Sequence, residues 1–193
     1  LTMLVAQPDL LESRTHEGTK PVTFVSFTPA TSFDFGWQTG KMQERAVLYW
    51  LLHEHFELSG ARETALKRIL TGTASYQGFE RAVNAGAPTW ERSIQKQFYK
   101  DLKRSATHKI VQTLIEEVCY KSKLTQEQER TARQIIGELR QTLARASVSA
   151  LAPDLVVLDE FQRFKELLAD PQTSEVASLS QSLFNQPDAR VVL

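Results

Sequence analysis

Leu155-Val156-Val157-Leu158-Asp159-Glu160-Phe161-Gln162 decides how the rest of this chain reads. Four consecutive aliphatic residues run directly into two adjacent carboxylates, and a glutamine follows one residue later. An apolar run this short, opened by the turn-forming pair Pro153-Asp154, predicts a strand buried on both faces, as in a parallel sheet. Acidic residues at the C-terminal end of such a strand stand where open α/β sheets bind ligands. Two carboxylates side by side repel each other unless a cation is present. One can hold Mg²⁺ while the other orients or deprotonates a water. The plainer alternative is that Asp159 and Glu160 only favour the start of a following helix, worth about 0.3–1 kcal/mol.

Downstream, residues 164–168 and 174–184 read as short helices, and Asp188-Ala189-Arg190 turns into a last strand at Val191-Val192-Leu193. Strand, helix, strand in this order predicts a right-handed parallel crossover. Upstream, residues 1–13 read as the tail of a helix. Val22-Thr23-Phe24-Val25-Ser26-Phe27 alternates and is rich in β-formers, so it predicts a strand, ended by Thr28-Pro29.

Between these strands the periodicity is helical. Ala46, Val47, Trp50, Leu51 and Phe56 recur on one face, and Gly60, Gly72, Gly78 and Gly86 divide the region into short helices. Thr89 is placed to cap a helix carrying Trp90, Ile94, Phe98 and Leu102, and the pattern resumes at Ile110, Val111, Leu114, Ile115 and Val118. Thr125-Gln126-Glu127-Gln128 is a capping-box signature before a stripe of Ala132, Ile135, Ile136, Leu139 and Leu143. The expected fold is therefore α/β: a partial parallel sheet with a large α-helical insertion. Residues 1–36 and 151–193 would supply the sheet, and residues 37–150 the insertion.

The chain has 193 residues, with 41% hydrophobic and 24% charged, as in an ordinary globular domain. Its 23 basic and 23 acidic side chains cancel, so bulk charge makes no case for nucleic acid. The distribution is uneven. Residues 89–150 carry 12 Lys/Arg against 7 Asp/Glu, and residues 151–193 carry 3 against 7. That pattern fits a nucleic-acid face beside a metal site, although solvated helix faces are the plainer reading. One cysteine, Cys119, excludes an internal disulfide and suits a reducing, cytoplasmic setting. The sequence opens at Leu1 and stops inside a strand-like pattern, which reads as a fragment of a longer protein.

The segment from Leu155 to Arg163 resembles the DExx box of superfamily-two helicases and translocases, in the form Asp159-Glu160-Phe161-Gln162. Ser26-Phe27-Thr28-Pro29-Ala30-Thr31-Ser32-Phe33 resembles that family's Thr-Pro motif, which touches the nucleic-acid backbone. With Glu44-Arg45-Ala46-Val47-Leu48-Tyr49-Trp50, the combination looks most like large prokaryotic helicase-related proteins. The resemblance implies a RecA-like motor domain using ATP and Mg²⁺, with nucleic acid, here double-stranded DNA, as partner. It implies Asp159 as the metal carboxylate, Glu160 as general base and Gln162 as a relay. Thr28 and Pro29 would lie near a phosphate backbone, and the helical insertion could bind a protein partner.

One part of that machinery is missing from the sequence. Gly36-Trp37-Gln38-Thr39-Gly40-Lys41-Met42 has three residues between its glycines where a P-loop has four, and a methionine where the Mg²⁺-binding hydroxyl belongs. The phosphate-binding loop is expected upstream of Leu1, leaving this chain alone inactive toward ATP. His53-Glu54-His55 is not a metal pair, because residues two apart point to roughly opposite sides of a helix. The reading from a different class is a non-catalytic helical interaction module.

Overall fold

The computed structural model describes residues 39–151, 155–157 and 190–192, with Ala177, Gln181 and Phe184 as isolated helical positions. Six helices are described: α1 (Met42–His55), α2 (Gly60–Leu70), α3 (Tyr76–Asn84), α4 (Arg92–Arg104), α5 (Ala106–Val118) and α6 (Gln126–Leu151). Two strands follow, β1 (Leu155–Val157) and β2 (Arg190–Val192). The chain divides into two compact units. One comprises Phe35–Pro88 and Gln95–Leu143; the other comprises Leu1–Asp34, Thr89–Ile94 and Ala144–Leu193. No helix among the described residues is long and apolar enough to cross a membrane.

These elements correct the expected fold. A partial RecA-like parallel sheet is not what the described residues form; they are dominated by helices. Their only pairing is β1 with β2, parallel, with Leu155 opposite Arg190, Val156 opposite Val191 and Val157 opposite Val192. The physical reason lies in the spacing of apolar residues. Most recur three or four apart and are buried helix against helix, whereas only the short valine-rich runs have the β-branched character a strand needs. The strand expected at residues 22–27 lies outside the described residues.

In the helical unit, α2 packs against α1, α3 and α5, and α1 also packs against α3. The centre is α1, buried at Arg45, Ala46, Val47, Leu48, Tyr49, Leu51 and Leu52. That run wraps most of the way round the helix instead of forming one stripe, as suits a helix enclosed by others. The outer helices are ordinary amphipaths. Ala65, Leu66, Ile69 and Leu70 of α2, Phe79 and Val83 of α3, and Val111, Leu114, Ile115 and Val118 of α5 form the buried faces. Ile110, expected in the α5 stripe, is exposed at 36%. Helix α4 begins at Arg92, three residues after the expected cap Thr89, leaving Trp90 outside it and half-buried. Both capping-box bonds of α6 are made: the Thr125 amide donates to Gln128 Oε1 at 3.1 Å, and the Gln128 amide donates to Thr125 Oγ1 at 3.3 Å.

In the other unit the β1–β2 pair accompanies buried Ile94, Ala146, Ser147, Val148 and Ala177. Parallel neighbours need a long crossover, since a hairpin joins only antiparallel strands. The parallel direction of this pair is the one the sequence reading expected, while β2 starts at Arg190, one residue before the expected Val191.

One charged side chain sits inside the helical core. Arg45 is 2% exposed, and its guanidinium is spent almost entirely on backbone carbonyls. Nε donates to Leu70 O at 2.8 Å and Nη2 to Thr71 O at 3.0 Å, while Nη1 donates to Thr39 O at 2.9 Å and Gly40 O at 2.7 Å. The first two acceptors are among the carbonyls left open at the C-terminal end of α2, where a cation is favoured. The last two belong to the lead-in to α1. Burial, and then Arg140 nearby, lower the Arg45 pKa, while Glu44 opposes the shift. Phe79 covers the group, its ring centroid 6.0 Å from the guanidinium carbon. Replacing Arg45 by Leu strands these acceptors, and unfolding in urea is expected to show a loss of about 3–5 kcal/mol. A loss below about 1 kcal/mol would mean the carbonyls find other partners.

Candidate functional site

The residues singled out for chemistry, Asp159, Glu160 and Gln162, lie outside the described residues, as do Thr28 and Pro29. What is described is the strand that leads into the carboxylates. β1 ends at Val157, so Asp159 and Glu160 follow its last paired residue by two and three positions in sequence. Two carboxylates are oxygen donors of the kind Mg²⁺ prefers. Among the described residues there is no group of three or more His, Cys, Asp or Glu that could hold a metal.

The Gly36–Met42 segment is described from Thr39 onward, and its geometry there serves the fold. The Thr39 and Gly40 carbonyls accept from Arg45, and the Lys41 amide donates to Glu44 Oε2 at 3.2 Å. Gly40 has φ +64°, and a Cβ there would collide with the Arg140 guanidinium and the Glu44 carboxylate. Those two groups form an ion pair at 2.9 Å. A P-loop wraps backbone N–H groups round a phosphate. At Gly40 that space is filled by side chains.

The sequence set His53-Glu54-His55 aside as a metal pair, because residues two apart point to roughly opposite sides of a helix. The structure separates these two histidines and brings the second to a new partner. His53 packs against the rings of Tyr49 and Trp50. His55, in the last turn of α1, meets His108, in the first turn of α5, with their Nε2 atoms 3.2 Å apart. Tyr99 packs on His55 with centroids 4.7 Å apart, and Phe56 lies 5.1 Å from His108. One imidazole must donate and the other accept, so the contact requires at least one neutral ring. No local signal could have paired residues 53 positions apart. Tyr99 donates to Leu51 O at 3.0 Å, and burial pushes its hydroxyl up to about 12.

A second constellation that sequence reasoning missed is an open groove lined by Arg68, Tyr76, Lys123 and Arg133, with a volume of about 770 Å³. Its residues come from α2, the start of α3, the turn before α6, and α6 itself. Only the excess of basic residues in the middle of the sequence hinted at it. Cys119 is buried, its Sγ donating to Glu116 O at 3.1 Å, and is packing. No protein family, curated protein or solved structure matches this chain.

Burial, then the His108 and Lys103 charges, hold the His55 pKa below its ordinary value. The unfolded chain therefore binds more protons as pH falls through about 6.5. The stabilisation from a neutral His55 is fully present above that pH. It is lost progressively below it, down through the lower folded value. Urea midpoints should therefore fall between about pH 7.5 and about pH 5.5, and the fall should be smaller in His55→Gln. An identical pH dependence in the variant would remove His55 as its source.

Proposed function

We propose that this chain is part of an ATP-dependent nucleic-acid helicase or translocase and contributes the carboxylates of ATP hydrolysis. The observation carrying this reading is the parallel pairing of Leu155–Val157 with Arg190–Val192, with Val157 two positions before Asp159 in sequence. Paired carboxylates directly after a parallel strand are suited to a metal-bound nucleotide and an attacking water. Asp159 would hold Mg²⁺, which when bound neutralises phosphate charge. Glu160 takes the proton from the attacking water, and Gln162 relays between the nucleotide and the nucleic acid. Thr28 and Pro29 lie against the phosphate backbone, with double-stranded DNA the partner and the cytoplasm the setting. The helical unit acts as a specificity or partner-binding element. The sequence contains no Gly-Lys-Ser/Thr loop, so the grip on the ATP phosphates has to come from residues other than these 193.

The dominance of helices among the described residues favours a second reading, a non-catalytic helical protein-interaction module. Glu160→Gln in the intact protein decides between them. The motor reading expects nucleic-acid-stimulated ATP turnover to fall by at least about 100-fold, as for loss of a general base, with ATP binding retained. Unchanged turnover would remove Glu160 from the mechanism, and no nucleic-acid-stimulated turnover in the wild type would leave the interaction module.

A further inference from the structure

Three cations line the open groove of the helical unit. Arg68 stands in the last turn of α2, Lys123 in the turn before α6, and Arg133 on α6. One carboxylate, Glu129, is in the lining to offset them. It pairs with Arg133 at 3.3 Å, and both side chains are about half exposed, at 53% and 49%. An ion pair in that setting is worth little and exchanges readily with a bound anion. Lys123 is exposed and makes no hydrogen bond or ion pair among the described residues. Arg68 is anchored, with one Nη donating to the Lys121 carbonyl, so its fork is held in place with other N–H groups to spare.

The rest of the lining is of a different character. Ile69, Ala132 and Ile136 are almost fully buried, so the apolar surface open to a ligand is the half-buried Tyr76 ring at the start of α3. Thr73 adds a hydroxyl. A ligand matching both parts carries repeated negative charge and presents flat, partly apolar faces. Nucleotides meet that description, with phosphates on the cations and a base against the ring. The groove is open, about 770 Å³ in volume, and a ring that stacks on a base requires an unpaired base, which a single strand offers and a duplex does not.

We infer that this groove binds the phosphate backbone of single-stranded nucleic acid, Arg68, Lys123 and Arg133 contacting phosphates and Tyr76 stacking on a base. The inference takes its ligand class from the nucleic-acid part of the proposed function. The carboxylates of ATP hydrolysis play no part in it.

The test is fluorescence anisotropy with a labelled oligothymidine, and with a duplex of equal length, at several salt concentrations and without ATP. The intact protein is compared with Lys123→Ala/Arg133→Ala. Both positions are exposed, so circular dichroism and the urea midpoint should match wild type. Wild type is expected to bind the single strand. In the double variant the slope of log K against log salt should flatten by about 1.4, two contacts at about 0.7 each. Tyr76→Ala should weaken the single strand by about tenfold, one base stack being worth about 1–3 kcal/mol. An unchanged slope in the double variant, an unchanged single-strand affinity in Tyr76→Ala, or no single-strand binding by wild type would each overturn the site. Turnover in Glu160→Gln judges the motor reading separately, because no ATP enters the anisotropy measurement.

Discussion

Arg45 is the constraint on which the helical unit depends. A guanidinium taken out of water costs several kcal/mol unless its donors are met, and here four backbone carbonyls meet them. Those carbonyls come from two places far apart in sequence, the lead-in to α1 and the end of α2. Holding both at once sets the position of α2 along α1. Apolar packing could not do this alone, because hydrophobic contact is non-directional and tolerates sliding. The buried cation supplies the register, and the apolar residues around it supply most of the driving force.

The surrounding residues follow from that requirement. Gly72 has φ +60°, and a Cβ there would come within 2.9 Å of Thr39 Oγ1 and 3.2 Å of the Arg45 guanidinium carbon. A side chain at that turn would push the arginine off its acceptors and strain the backbone as well. Gly40 plays the matching part on the other side, where Glu44 and Arg140 close over it. A glycine-lysine pair that looks from its letters like a relic of a phosphate loop is better explained as the space an ion pair needs.

How much of this was legible depended on whether the signal was local. The Thr125–Gln128 capping box could be read in advance because both partners lie within four residues and their geometry is fixed by the helix start. The stripe of Ala132, Ile135, Ile136, Leu139 and Leu143 was legible for the same reason, and all five are buried. The apolar runs at residues 155–158 and 191–193 announced strands through their β-branched side chains, and their order announced the parallel pairing that Leu155–Val157 and Arg190–Val192 make. Extending those short runs to a RecA-like sheet went further than the spacing allowed, since the great majority of the described residues satisfy their apolar faces helix against helix. Arg45 and the His55–His108 contact were illegible. Arginine is almost never fully buried, so nothing in an apolar run marks one as a hub. A contact across 53 positions leaves no periodicity to read.

The groove and the core are linked by the same turn. Leu70 and Thr71, whose carbonyls Arg45 holds, lead directly into Gly72 and Thr73, which line the groove, and then into Tyr76. Ser75 caps α3 by accepting from the Gly78 amide at 3.1 Å, fixing the start of the helix that carries Tyr76. One wall of the groove is therefore built on a rigid support instead of a free loop, and less ordering entropy is lost when a ligand settles against it. The opposite wall, carrying Arg133, is a continuous helix capped at Thr125. Arg68 bridges to the turn between, through the Lys121 carbonyl. The parts of the surface that could recognise phosphate are thus held by the backbone hydrogen bonds that hold the fold, and a core arginine that touches no ligand helps decide the shape of the site.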